Sequence, residues 1–192
     1  LNPATGKYRS TFDVQLAAPG TYKIVNAVDM MSASYKLGAE TERWRGSRAD
    51  LATVIPTGAT DVKITQNLRR TETFVTRGAP TLTALKPTGK GLELEAITHP
   101  NDLVASEKAR FRFLLDGKPA ANLEIEMAPG AARYRDNPGD TKLTTGADGV
   151  AEFTWPPAGM YWIEASVRGG QGDVPGAERS AGYTATFEVL PD

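Results

Sequence analysis

Few residues in this chain can do chemistry. One histidine, His99, stands in the run Thr98-His-Pro-Asn-Asp102, and no cysteine occurs anywhere. His99 with Asp102 is the pair best suited to hold a divalent transition metal, with Asn101 beside it. A closed site of that kind needs three or four converging ligands, and no second histidine exists to join it. The same residues are better suited to a turn shaped by Pro100 and Asn101, in which His99 bonds its own loop. Four glutamates, Glu93, Glu95, Glu124 and Glu126, alternate along strand-like runs. They are expected on outward faces, as a solvated surface or as an oxygen-rich cation site. Asp136-Asn137, Asp140 and Asp148-Gly149 lack the spacing of a calcium loop and suit turns. Arg43-Trp44-Arg45 and Arg133-Tyr134-Arg135 can take an anion or a sugar by stacking and forked hydrogen bonds, or can lay their stems over apolar surface. Trp155 shares the face of Phe153 and reads as core; Trp162 points away from Tyr161 and can serve as a ligand platform or an interface anchor. A hydrolytic triad would have to be built on His99, and neither a G-x-S-x-G elbow nor a glycine-rich phosphate loop follows a strand. The expectation is a protein that binds and does not catalyse.

The elements that must position these residues are strands. The 192 residues suffice for one large or two small domains with a core of their own. The net charge of −1 gives no electrostatic case for nucleic acid. No apolar run reaches the roughly 18 residues of a membrane-spanning helix. Nineteen glycines and thirteen prolines punctuate short runs, as in all-β architectures. The stretch Val150–Val167 shows this best. Ala151, Phe153 and Trp155 alternate with polar partners, Pro156, Pro157 and Gly159 interrupt, and Tyr161, Ile163, Ala165 and Val167 alternate again. The expectation is two paired strands about a tight turn. Asp116-Gly117 is the strongest short hairpin signal. Phe111, Phe113, Ile125, Phe153, Trp155, Ile163 and Phe187 form the expected core between two sheets. Tyr8–Leu16 reads as a strand, Ser32–Leu37 and Glu40–Arg45 as a hairpin about Gly38, and Ser47–Val54 as a short helix ended by Pro56. Val62–Val75 reads as an edge or outward-facing strand, because Gln66, Arg69, Arg70 and Glu72 make it polar on much of its surface. Arg168–Ser180, rich in glycine, reads as a mobile loop.

From Leu92 onward, about six or seven short strands with turn signals every 8–12 residues or so match an Ig-like sandwich. The start of the chain echoes its end. Phe12 to Ile24 and Phe153 to Ile163 both run strand, Pro/Gly turn, Tyr-x-Ile, with Gly20, Tyr22 and Ile24 at the same mutual spacing as Gly159, Tyr161 and Ile163. The second copy has a long strand-rich stretch before it and the first does not. The organisation expected is all-β with two Ig-like modules: residues 1–78, lacking their opening strands; a linker over 79–91; and a sandwich over 92–192. A missing N-terminal segment, or another copy in an oligomer, is expected to complete the first module.

Several runs together carry a family likeness. Thr5-Gly-Lys-Tyr-Arg-Ser-Thr-Phe-Asp-Val-Gln-Leu16 precedes Pro19-Gly-Thr-Tyr-Lys-Ile24. Leu85-Lys-Pro-Thr-Gly-Lys-Gly-Leu-Glu-Leu94, Thr98-His-Pro-Asn-Asp-Leu103, Leu114-Leu-Asp-Gly-Lys-Pro-Ala120 and Pro157-Ala-Gly-Met-Tyr-Trp162 follow. Together they resemble DUF4198, a bacterial family of unknown function often described as a periplasmic component of nickel or cobalt uptake. The resemblance implies a secreted, periplasmic protein with transthyretin-like sandwich modules and membrane transporter or receptor components as partners. Its members usually carry a signal peptide and a histidine-bearing stretch ahead of the position of Leu1. The function it implies is a non-enzymatic binding component for a transition metal or a metal chelate. The alternative is a structural or protein-interaction module without a small-molecule ligand.

Overall fold

The computed structural model describes residues 4–131, 135–137 and 139–192. They form an all-β protein. A small ladder joins β1 (Ala4–Thr5) to β2 (Ser10–Thr11). The other strands are β3 (Gly20–Leu37), β4 (Glu40–Gly46), β5 (Thr60–Arg77), β6 (Leu92–Ala96), β7 (Lys108–Leu115), β8 (Lys118–Pro119), β9 (Glu124–Pro129), β10 (Thr141–Thr144), β11 (Val150–Thr154), β12 (Gly159–Gln171) and β13 (Ala177–Val189). Seven of them make a large sheet in the order β10-β9-β12-β13-β5-β3-β4; β11, β7 and β6, with β8 on β7, make the small one. The large sheet is antiparallel except where β13 runs parallel to β5, in register from Ala177 opposite Ile64 to Thr186 opposite Thr73. Strands from both sides of segment 79–91 therefore lie side by side in one sheet. That segment holds a single 3-10 turn, Thr83–Leu85, with Leu85 buried.

The core lies between the two sheets. Phe111, Phe113 and Phe153 of the small sheet face Ile125, Ile163, Tyr183 and Phe187 of the large one, all essentially inaccessible. Phe187 stacks on Phe74 at 5.6 Å and on Phe111 at 5.3 Å between centroids. Trp155 stacks on Phe153 and meets Tyr161 edge-on at 5.0 Å. The seven side chains expected in the core are all there, each worth about 1.5–3 kcal/mol on burial. The large sheet outreaches the small one. At 18 residues, β3 and β5 are about 60 Å long. Past the small sheet their inner face carries a second cluster of Met31, Ala33, Tyr35, Leu51 and Ala177. Leu51 comes from α1 (Leu51–Val54), one turn held by the Ser47 hydroxyl on Asp50.

Several expectations need correction. Val150–Val167 is not a hairpin. β11 pairs with β7 in the small sheet, and β12 pairs with β9 and β13 in the large one. Trp155–Ala158 thus arches from one sheet to the other. Alternation on each side of the prolines reports two half-buried strands, whichever neighbours they take. Tyr8–Leu16 is a strand only at Ser10–Thr11, and Phe12 is exposed, because no core face lies opposite it. β5 is central, not an edge: Gln66 and Glu72 are buried and satisfied by other polar groups. Arg168–Ser180 is mostly strand, because β12 runs on to Gln171 and β13 begins at Ala177; Gly169 and Gly170, at positive φ, absorb a bulge between them. The Asp116-Gly117 turn is as expected, with both residues at positive φ. The Gly38 hairpin is also present.

Candidate functional site

The turn at His99 closes as expected, with the Asp102 N–H on the His99 carbonyl at 2.9 Å. Both ring nitrogens are engaged. The Asn101 N–H donates to Nδ1 at 3.1 Å, so the neutral ring carries its proton on Nε2. That nitrogen lies 3.0 Å from the Thr21 hydroxyl at the start of β3. The Thr21 hydroxyl also accepts the Thr81 N–H and meets the Thr76 hydroxyl at 2.8 Å, and Thr76 donates to the Asn101 side chain. This chain of bonds fastens the 99–102 turn and segment 79–91 to the ends of β3 and β5. Asp102 is exposed in the same turn. Among the described residues, no three His, Cys, Asp or Glu side chains gather as a metal ion would need.

The four glutamates do not converge. Glu95 pairs with Arg112 on the small sheet, Glu124 with Lys142 on the large one, and Glu126 is half-buried elsewhere on that sheet. Glu93 was expected outside and is only 1% exposed. It accepts the N–H groups of Thr88, Gly89 and Lys90 and the Thr88 hydroxyl. Burial by itself would raise its pKa; the Thr88 and Gly89 donors and the Arg70 charge outweigh that and hold the carboxyl below its ordinary value. Arg70 reaches Glu93 through Nη2 and Glu72 through Nη1, both at 3.2 Å. The Tyr183 hydroxyl donates to Glu72 at 2.8 Å. Burial, then the Glu72 charge and hydrogen bond, push the Tyr183 phenol well above its usual range. This network ties β5 and β13 to β6 and is closed on itself. Alternation placed Glu93 opposite Leu92 and Leu94, but the loop 88–90 folds over that side and supplies the donors. Asp148 bonds the Val150 N–H and Asn137 the Gly139 N–H, both as turn residues. Arg133 and Tyr134 lie outside the described residues.

What the structure does bring together is a basic groove at the overhanging end of the large sheet. Register puts Arg45, Ser32, Thr65 and Glu178 in one row across β4, β3, β5 and β13, and Arg43, Ser34 and Lys63 in the next. Cross-strand partners share a face, so all seven side chains stand on the outer face. They line a groove of about 570 Å³. Trp44 pairs with Ala33 and belongs to the other face, where it packs against the Met31 cluster with its ring over Gly46. The expected combination of stacking ring and arginine forks is therefore split by the strand's own alternation. Among the described residues, Arg43, Arg45 and Lys63 make no ion pair. Three cations without a salt-bridge partner face Glu178, with hydroxyls between them; Asp61, paired with Lys36, lies near enough to Lys63 for their charges to interact. The alternation of Arg43 and Arg45 was visible in the sequence; Lys63, Ser32, Ser34, Thr65 and Glu178 join them only through strand pairing. Trp162 is half-buried on the same outer face, further along β12.

The family model of DUF4198, a domain of unknown function, matches residues 2–169. The chain belongs to the DUF4198 family. No curated protein matches it. Among solved structures it is similar to a Pseudomonas aeruginosa protein described as a "putative carbohydrate binding protein", at 17% identity and a TM-score of 0.26, over 57% of this chain and 92% of that one. No helix among the described residues is long and apolar enough to cross a membrane.

Proposed function

We propose that this DUF4198 chain is a non-enzymatic, periplasmic binding component that takes its ligand at the basic groove of the large sheet. The observation that carries the reading is the set of three unpaired cations, Arg43, Arg45 and Lys63, on one open face of a rigid sheet. A groove of this volume falls in the range that holds small ligands. Unpaired cations on a fixed scaffold favour an anion, by forked hydrogen bonds from arginine. The role in nickel or cobalt uptake, with transporter or receptor components as partners, rests on the family resemblance. In that role the metal arrives at the groove as an anionic chelate, and His99 with Asn101 acts as a turn latch.

Calorimetry of the chain with nickel and cobalt chlorides, and with the same ions as citrate chelates, tests this. The chelates are expected to bind and the bare ions not to. Silence with every titrant removes the reading. Binding of the bare ions that disappears in His99→Ala would move the site to the turn.

A further inference from the structure

Resting on that groove as the binding site, we infer that its ligand class is a small hydroxylated polyanion: a molecule with two or more carboxylate or phosphate groups and free hydroxyls on the same frame. The charges are spaced for more than one anionic group. Arg43 and Arg45 are two residues apart on one face of β4, so their stems rise about 7 Å apart. Lys63 lies two strands from Arg43, about 10 Å across the sheet, with Ser34 between them. A lone monoanion cannot span both β4 and β5; two or more anionic groups on one frame can meet the arginines and Lys63 together.

The hydroxyls supply the second half of the recognition. Ser34 sits between Arg43 and Lys63 in register, and Ser32 and Thr65 lie between Arg45 and Glu178. Asn67 adds an amide that already donates to Ser32 at 2.9 Å and so fixes that hydroxyl. Hydroxyl groups on a sheet face both donate and accept, which matches a ligand hydroxyl and not an apolar frame. Glu178 closes the row opposite Arg45. It can accept from a ligand hydroxyl, and it repels further negative charge at that end. The bonding partners thus run from cation to hydroxyl to carboxylate, which gives the ligand a direction in the groove.

Four metal-free probes titrated by calorimetry into the 192-residue chain separate the parts: citrate; tricarballylate, which lacks the hydroxyl; fructose 1,6-bisphosphate, which carries the anion as phosphate; and glucose, which has no charge. Citrate or the bisphosphate is expected to bind, and the tighter of the two identifies carboxylate or phosphate as the natural anion. Tricarballylate is expected to bind about fivefold or more weakly than citrate, and glucose not at all. Arg43→Gln should weaken the anionic probes about tenfold or more. Glu178→Gln should strengthen them, and added salt should weaken them. Both positions are exposed, so circular dichroism should show both variants folded. Equal binding of citrate, tricarballylate and glucose, or indifference to Arg43→Gln, would overturn this inference and leave the groove a site for another class. No binding of any probe, with nickel citrate also silent, would overturn the groove itself.

Discussion

Arg70 stands between two buried carboxylates, Glu72 and Glu93, and among the described residues is the only cation that bonds both. Removing one member of a buried charged set leaves the others unpaired, at a cost of about 3–5 kcal/mol. Arg70→Met is expected to lower stability by that amount in urea unfolding, and Arg70→Lys to recover only part of it, because a lysine cannot fork toward both acids. Glu93 adds a pH dependence. Its folded pKa lies below its unfolded one, so its stabilisation is complete above the unfolded value of about 4.3 and is lost as the pH falls through the folded value. Unfolding midpoints measured from pH 6 downward should fall on the acid side, and Glu93→Gln should flatten that fall while lowering stability at pH 6. None of these partners was legible from periodicity. Glu93, Arg70 and Glu72 all look solvated when read as polar positions in a strand, because the other donors to the two carboxylates come from the loop 88–90 and from Tyr183, on a strand more than a hundred residues on.

The arch at Trp155–Ala158 shows what alternation can and cannot say about an element. The apolar stripes of β11 and β12 were plain in the sequence, and Phe153, Trp155, Tyr161 and Ile163 of the core follow from them. The neighbours of each strand were not, because a Pro-Pro break fits a sheet-to-sheet crossing as well as a hairpin. The echo between the chain's two ends has a local physical basis. β3 and β12 both start at a glycine with φ beyond +120°, and Tyr22 and Tyr161 each donate their hydroxyl to the carbonyl four residues back, at 2.8 and 2.9 Å. Tyr161→Phe and Tyr22→Phe are each expected to cost about 1 kcal/mol, measurable by denaturant titration. Gly149 is a sharper case. It has φ +75°, and a Cβ there would meet the Phe113 carbonyl at 2.6 Å and the Ala120 N–H at 3.0 Å. Gly149→Ala should therefore destabilise by about 2 kcal/mol or more, whereas Gly38→Ala, with nothing near its added carbon, should cost only the backbone strain.

At the scale of the whole molecule, the parallel pairing of β5 with β13 makes one sheet out of the two ends of the chain. That sheet extends past the small one, so its far end has a cluster of its own on one face and a bare, basic face on the other. The division at 79–91 was argued from glycine and proline content, and a parallel pairing across it has no short-range signal: β5 and β13 are joined through every element between them. A protein built this way should unfold in one transition followed alike by far-ultraviolet circular dichroism and tryptophan fluorescence, and residues 92–192 expressed alone should lack that transition. The basic face is where the account of function stands. Hydrogen exchange of the backbone amides, with and without nickel citrate, tests it most directly. The account predicts slowed exchange in residues 32–34, 43–45 and 63–65 and none gained at 98–102; protection confined to 98–102, or no change anywhere under saturating chelate, would contradict it.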